Sequence, residues 1–207
     1  FDFTQGGYDS AIAKLEAILA EDPAHFDAQL SLEKALTLNP RGPETSAIID
    51  LLAESLLAQD KSTHLVGLLE QTARDYGTVE DYVRMAKFES RMGDVDGARL
   101  ALNKAAAIAD PADPTPYEAM LSFYESLGNG EMATVALRHL YYLRPNDPNV
   151  ANALRRYGLV PGPTVGLPPR TSLEGDILKT EPFTPTAGPI DPVDPRTVVP
   201  PEKPTLP

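Results

Sequence analysis

Gly93-Asp94-Val95-Asp96-Gly97-Ala98-Arg99 and, 35 residues further on, Gly128-Asn129-Gly130-Glu131-Met132-Ala133-Thr134 decide how this chain folds. Each opens on a glycine turn, crosses a short polar stretch and reaches an alanine five residues after the glycine. From each alanine an apolar-periodic stretch runs to a proline, Ala98 to Pro111 and Ala133 to Pro145. Gly6-Gly7-Tyr8-Asp9-Ser10-Ala11-Ile12 looks like a third copy, running from Ala11 to Pro23. Self-similarity at this period is the mark of stacked helical repeats rather than of one closed bundle.

Outward from these stretches, residues 1–160 contain almost nothing that reads as strand. Alanine- and leucine-rich amphipathic segments alternate with Gly or Pro punctuation, which predicts helices over 9–21, 26–38, 44–58, 62–76, 79–92, 95–109, 116–127, 130–143 and 148–157. Asp22-Pro23, Asn39-Pro40, Asp110-Pro111 and Arg144-Pro145 are stop signals, since the residue before a proline is pushed out of the α region. The fold class is therefore all-α, an α-solenoid of about three and a half helix-turn-helix repeats with a capping helix. The period is not perfect. Pro23 to Pro40 spans only half of it, which reads either as a half-repeat lost or as residues missing near residues 26–40, with the first repeat lacking its first helix.

The pattern resembles the tetratricopeptide repeat, a helix-turn-helix unit in which a small residue opens the second helix. The matching positions are Tyr82, Met85, Ala98, Leu102 and Ala105 in one repeat. In the next they are Tyr117, Met120, Tyr124, Ala133, Leu137, Leu140 and Pro145. A degenerate copy covers 46–79, with Ile49, Leu52, Ala53, Leu56, Leu65 and Leu69, and residues 148–157 look like a solvating cap with Val150, Ala151 and Leu154 inward.

Composition closes several doors. The 207 residues include no cysteine, which removes disulfides, thiolate zinc sites and cysteine nucleophiles. The net charge of −12 argues against nucleic acid, and no apolar run approaches the length of a membrane span. His25, His64 and His139 form no His-rich or His-Glu motif and read as structural or solvated. No nucleophile elbow, phosphate loop or calcium loop is present, and acidic pairs such as Glu16/Glu21 read as solvated carboxylates. The expectation is a non-enzymatic chain with no metal, cofactor or small-molecule substrate.

The resemblance places ligand-facing positions on the first helix of each repeat. They are Asp50, Leu51, Glu54 and Leu57, then Val83, Arg84, Lys87 and Arg91, then Glu118, Ala119, Ser122 and Glu125, and finally Asn149, Asn152 and Arg156 on the cap. Arg84, Lys87 and Arg91 share one helix face, a basic stripe in an acidic domain. It reads either as a dock for an acidic or carboxylate-bearing peptide or as a solvated face paired with Glu80, Asp81 or Glu89. The Lys/Asn carboxylate clamp of the family's chaperone-binding members has no Asn at the matching repeat positions.

Thirteen of the 21 prolines lie in residues 161–207, a segment read as a separate, extended tail without regular secondary structure. Its interspersed apolar residues, chiefly Leu173, Ile177, Leu178, Phe183, Ile190, Val198 and Val199, are expected to anchor it along a partner. The implied function is a protein-binding adaptor or accessory subunit of a larger, possibly membrane-bound, complex. Its rivals are an assembly factor or pilotin-like chaperone and the regulatory repeat region of a larger protein. The alanine-rich repeats, and a chain opening at Phe1 without an initiator Met, resemble bacterial envelope repeat proteins. That implies a periplasmic or membrane-complex-associated place, with the cytoplasm as the alternative.

Overall fold

The computed structural model describes residues 8–38, 40–42 and 44–169, all of which fall in one compact unit. Within them the chain forms nine helices: α1 (Tyr8–Glu21), α2 (Phe26–Leu38), α3 (Thr45–Ala58), α4 (Ser62–Asp75), α5 (Val79–Arg91), α6 (Val95–Ile108), α7 (Thr115–Ser126), α8 (Gly130–Leu143) and α9 (Pro148–Arg156). The described residues contain no strand. Helix ends match the predicted ones to within a residue, because the sequence spells out the caps. Asp94 Oδ1 accepts from Gly97 N at 2.8 Å, Asn129 Oδ1 from Met132 N at 3.1 Å and Asp147 Oδ1 from Asn149 N at 2.8 Å. Thr78 and Asp81 form a reciprocal capping box at the start of α5.

The odd-numbered helices start at Tyr8, Thr45, Val79, Thr115 and Pro148, at intervals of 33 to 37 residues, and each is followed by an even-numbered partner except α9. Helix α5 packs on its partner α6 and on α7; α3 packs on α4 and α5 in the same way, and α1 on α2 and α3. The described unit is thus an all-α solenoid of helix pairs, with first helices on one layer and second helices on the other. Stacking of neighbours, not closure of any single pair, buries its core.

One expectation about register changes. No half-repeat is missing around residues 26–40: α1 is a first helix and α2 its second, and the unpaired helix is α9. The Gly6-Gly7 stretch resembles the Gly93 and Gly128 turns, but it precedes a first helix rather than a second. The turn between α1 and α2 uses Pro23 in place of a glycine. The Pro23 carbonyl accepts from Ser55 Oγ at 2.6 Å, Gln59 Nε2 at 2.7 Å and Gln29 Nε2 at 3.1 Å, so α3 itself ties down this corner.

The core follows the repeat. Ala98 and Ala133, five residues after their turn glycines, are fully buried, which lets α6 and α8 approach their partners closely. Leu15, Leu19, Leu32, Ile48 and Leu52 form the N-terminal cluster; Ala53, Leu65, Leu69 and Phe88 form the next. Each fully buried Leu, Ile or Phe contributes about 1.5–3 kcal/mol relative to exposure. Toward the other end, Tyr117, Met120, Leu137, Leu140 and Leu154 are buried.

The packed unit does not stop at residue 160. After α9 the chain turns at Gly158 (φ +79°) and again where Val165 N donates to Gly162 O at 3.1 Å, then lies against α8. Leu167 N donates to the Arg138 carbonyl at 3.0 Å, and Arg138 Nε donates to the Val165 carbonyl at 2.8 Å. The first nine residues of the proline-rich stretch therefore belong structurally to the repeat domain.

Candidate functional site

Helices α3, α5 and α7 carry the positions that the repeat resemblance marks as ligand-facing along the first-helix layer. The basic stripe of α5 lies there, but it is not open. Arg84 is only 5% exposed; its Nε donates to Asp50 Oδ1 at 2.8 Å and its Nη1 to Asp81 Oδ1 at 2.8 Å, while Nη2 donates to Ser46 Oγ. Lys87 Nζ and Arg91 Nη1 both reach Glu54, at 3.1 Å and 2.6 Å. Burial tends to raise the Glu54 carboxyl, but hydrogen bonds from Arg91 and Lys87 outweigh it and hold the pKa below its ordinary value of 4.5.

Asp50 and Glu54 of α3 with Arg84, Lys87 and Arg91 of α5 form a ladder of ion pairs that joins one repeat to the next. Of the partners proposed from sequence, Asp81 alone is among those that pair with the stripe; Asp50 and Glu54 come from α3. A guanidinium already engaged on every side offers little to an acidic peptide, so the structure does not present Arg84 as a docking group.

The other site residues are dispersed. Glu118 accepts from Arg144 Nη1 at 2.6 Å, closing a pair between α7 and the end of α8. Leu51 and Leu57 are half-buried and pack against the first and second core clusters respectively. Asn152 accepts from Arg155 Nη1 at 2.7 Å on the exposed side of α9, where Arg156 is also exposed. The proposed tail anchors Leu173, Ile177, Leu178, Phe183, Ile190, Val198 and Val199 lie outside the described residues.

What sequence reading passed over is the space these charges frame. Between α5 and α7 lies a cavity of about 310 Å³ whose lining includes Val83, Ala86, Lys87, Leu102, Ala119 and Phe123. Ser90, Ser122 and Ser126 add hydroxyls. Val83, Lys87, Ala119 and Ser122 are among the positions that the repeat resemblance marks as ligand-facing. The cavity exists because Ala86, Ala119 and Ser122 are small; larger side chains there would fill it. A wider groove of about 800 Å³ runs between α2 and α4 over Ile49, Leu52 and Leu56 of α3, and a third of about 440 Å³ sits by Arg41, Tyr76 and Arg84.

Among the described residues no group of three or more His, Asp or Glu is placed to hold a metal ion. His139 is fully buried, stacked on Tyr117 with ring centroids 4.7 Å apart, and hydrogen-bonded through Nδ1 to the Leu167 carbonyl at 3.1 Å. Among the described residues no helix is long and apolar enough to cross a membrane.

Comparison with protein-family models and with curated proteins finds no match. Among solved structures, the chain is similar to a tetratricopeptide repeat protein from Parabacteroides merdae ATCC 43184. The identity is 15% and the TM-score 0.48, over 74% of this chain and 60% of that one.

Proposed function

We propose that this chain is a protein-interaction scaffold that receives an extended peptide segment of a partner protein in the cavity between α5 and α7. The observation that supports the reading is the cavity itself: predominantly apolar in its lining, with three serines in that lining, and placed between the first helices α5 and α7. Lys87, the one charged residue in its lining, is already paired within the chain, with Glu54 at 3.1 Å. The segment that fits is therefore near-neutral, with one apolar anchor of Val or Leu size and backbone groups free to meet the serine hydroxyls. In a larger assembly this makes the chain an adaptor or accessory subunit, and the proline-rich sequence beyond residue 169 supplies a second attachment.

Selection of displayed peptides on the full chain tests this. The expected outcome is a family of peptides with a central aliphatic residue, whose binding is lost in Ala119→Trp, which fills the cavity, and retained in Arg156→Ala. Selected peptides that are acidic, or that bind Ala119→Trp equally well, would overturn it.

A further inference from the structure

The first helices of the last three pairs, α3, α5 and α7, and the unpaired α9 end alike. Asp60, Gly93, Gly128 and Gly158 take φ of +55°, +85°, +67° and +79°. The N–H that follows each reaches back to a carbonyl five residues earlier: Lys61 to Leu56, Asp94 to Glu89, Asn129 to Tyr124 and Leu159 to Leu154. This is the turn that launches a second helix. After the first three a second helix follows. After Gly158 it does not, because Pro161 and Pro163 push the residues before them, Val160 and Gly162, out of the α region. The chain instead returns to α8 as an extended strap.

The strap is received by a built surface. Two consecutive residues of α8 read two residues of it, Val165 and Leu167: Arg138 donates to Val165 O and accepts from Leu167 N, and buried His139 donates from Nδ1 to Leu167 O. Between them Gly166 lies so close to Tyr142 that an added Cβ would stand 3.1 Å from its Cα, 3.1 Å from its Cβ and 3.3 Å from its backbone N. Two of those three atoms are backbone atoms of α8 and cannot swing aside. The prolines at 168 and 169 have no N–H, so the irregular segment runs out there without unsatisfied donors.

We infer that this flank of α8 is a peptide-binding seat, distinct from the cavity between α5 and α7, that recognises an extended Val-Gly-Leu-Pro segment by its backbone. Residues 163–169 of the same chain occupy it as a closing strap in place of the second helix of a fifth repeat. Glycine is selected by lack of room, and the residues after it by the absence of donors. Tethering gives the strap an effective concentration in the millimolar range, so a free segment of the same sequence does not displace it from the intact protein.

The experiment uses the full chain, its Gly166→Val variant, the Arg138→Ala/Gly166→Val double variant, and a synthetic peptide of residues 161–169. Hydrogen exchange of the Leu167 amide and NMR shifts of the Tyr117 and His139 rings are read. In the wild type the Leu167 amide is protected and peptide shifts neither ring. In Gly166→Val that protection falls about tenfold or more, as loss of one well-formed backbone bond implies, and the peptide shifts both rings. The double variant and a peptide with Val in place of Gly show no shift. Unprotected Leu167 in the wild type, equal response of wild type and Gly166→Val, or response of neither would each overturn the seat. The Leu167 measurement decides the matter even if Gly166→Val fails to fold.

Discussion

Arg91 holds Glu54 by both carboxylate oxygens, each 2.6 Å from its Nη1, although the two residues are 37 positions apart in the chain. Lys87 joins the same carboxylate from 33 positions away, and Arg84 reaches Asp50 from 34. Those separations are close to one repeat. Equivalent faces of successive first helices carry opposite charges, and the solenoid is laced by them.

Removing the acidic partner of the exposed rung has a small, pH-dependent effect. Glu54, Lys87 and Arg91 are 41, 51 and 45% exposed, so Glu54→Gln is expected to cost below about 1 kcal/mol at pH 7. The folded-state pKa of Glu54 lies below its unfolded value. The stability it adds is present above that unfolded value of 4.5 and lost as pH falls through the folded one. Urea unfolding of both proteins should give curves that differ at pH 7 and converge on acidification.

The buried rung behaves differently. Arg84→Ala leaves Asp81, itself 5% exposed, as an uncompensated carboxylate, with an expected loss of about 3–5 kcal/mol. Arg84→Lys should recover little, because an ammonium cannot address Asp50, Asp81 and Ser46 from three nitrogens at once. Denaturant midpoints of the two variants check both statements; a lysine variant as stable as wild type would refute the second.

Glu89 gives a slope of the opposite sign. Burial first, then the charges of Asp94 and Glu70, push its carboxyl up to about 7, and its Oε2 is buried without a hydrogen-bond partner. The unfolded chain ionises near 4.5 while the folded one still holds the proton, so this group's contribution is full below 4.5 and is lost as pH rises through about 7. Glu89→Gln should therefore be more stable than wild type at pH 8 by about 1–2 kcal/mol, discounted for partial exposure. At pH 5 the gap should nearly vanish. Thermal unfolding at the two pH values measures it.

Gly93 separates backbone strain from crowding. An added Cβ meets nothing within 4 Å, yet φ is +85°. Gly93→Ala should thus cost only the left-handed backbone penalty, about 1–2 kcal/mol. A much larger loss in chemical denaturation would point to a contact that the geometry does not contain.

Much of this was readable beforehand, and the exceptions have physical causes. Helix ends were legible because Gly, Pro, Asp and Asn act locally, within a residue or two of the boundary. The register of the first pair was not, since Gly6-Gly7 and Pro23 invert the usual turn chemistry and only packing on α3 distinguishes the alternatives. The partners of Arg84, Lys87 and Arg91 were sought on the same helix. Comparing charges one repeat apart would have found Asp50 and Glu54. The cavity between α5 and α7 was half visible, in Val83, Lys87, Ala119 and Ser122, but its existence depends on the small side chain of Ala86 alongside them. Proline content marks residues 161–207 as unable to form helix or sheet, and it hides that residues 163–169, without regular secondary structure, pack on a helix.

The Pro23 carbonyl, with two of its three donors supplied by α3, sets an order of events. The first pair does not complete its own corner without α3, so the geometry between α1 and α2 depends on contact with the second pair. By this dependence the first pair is expected to open before the interior pairs. Native-state hydrogen exchange should show amides of α1 and α2 opening at lower free energy than those of α5 to α8, with Ser55→Ala widening the difference. Uniform protection across the array would contradict that sequence.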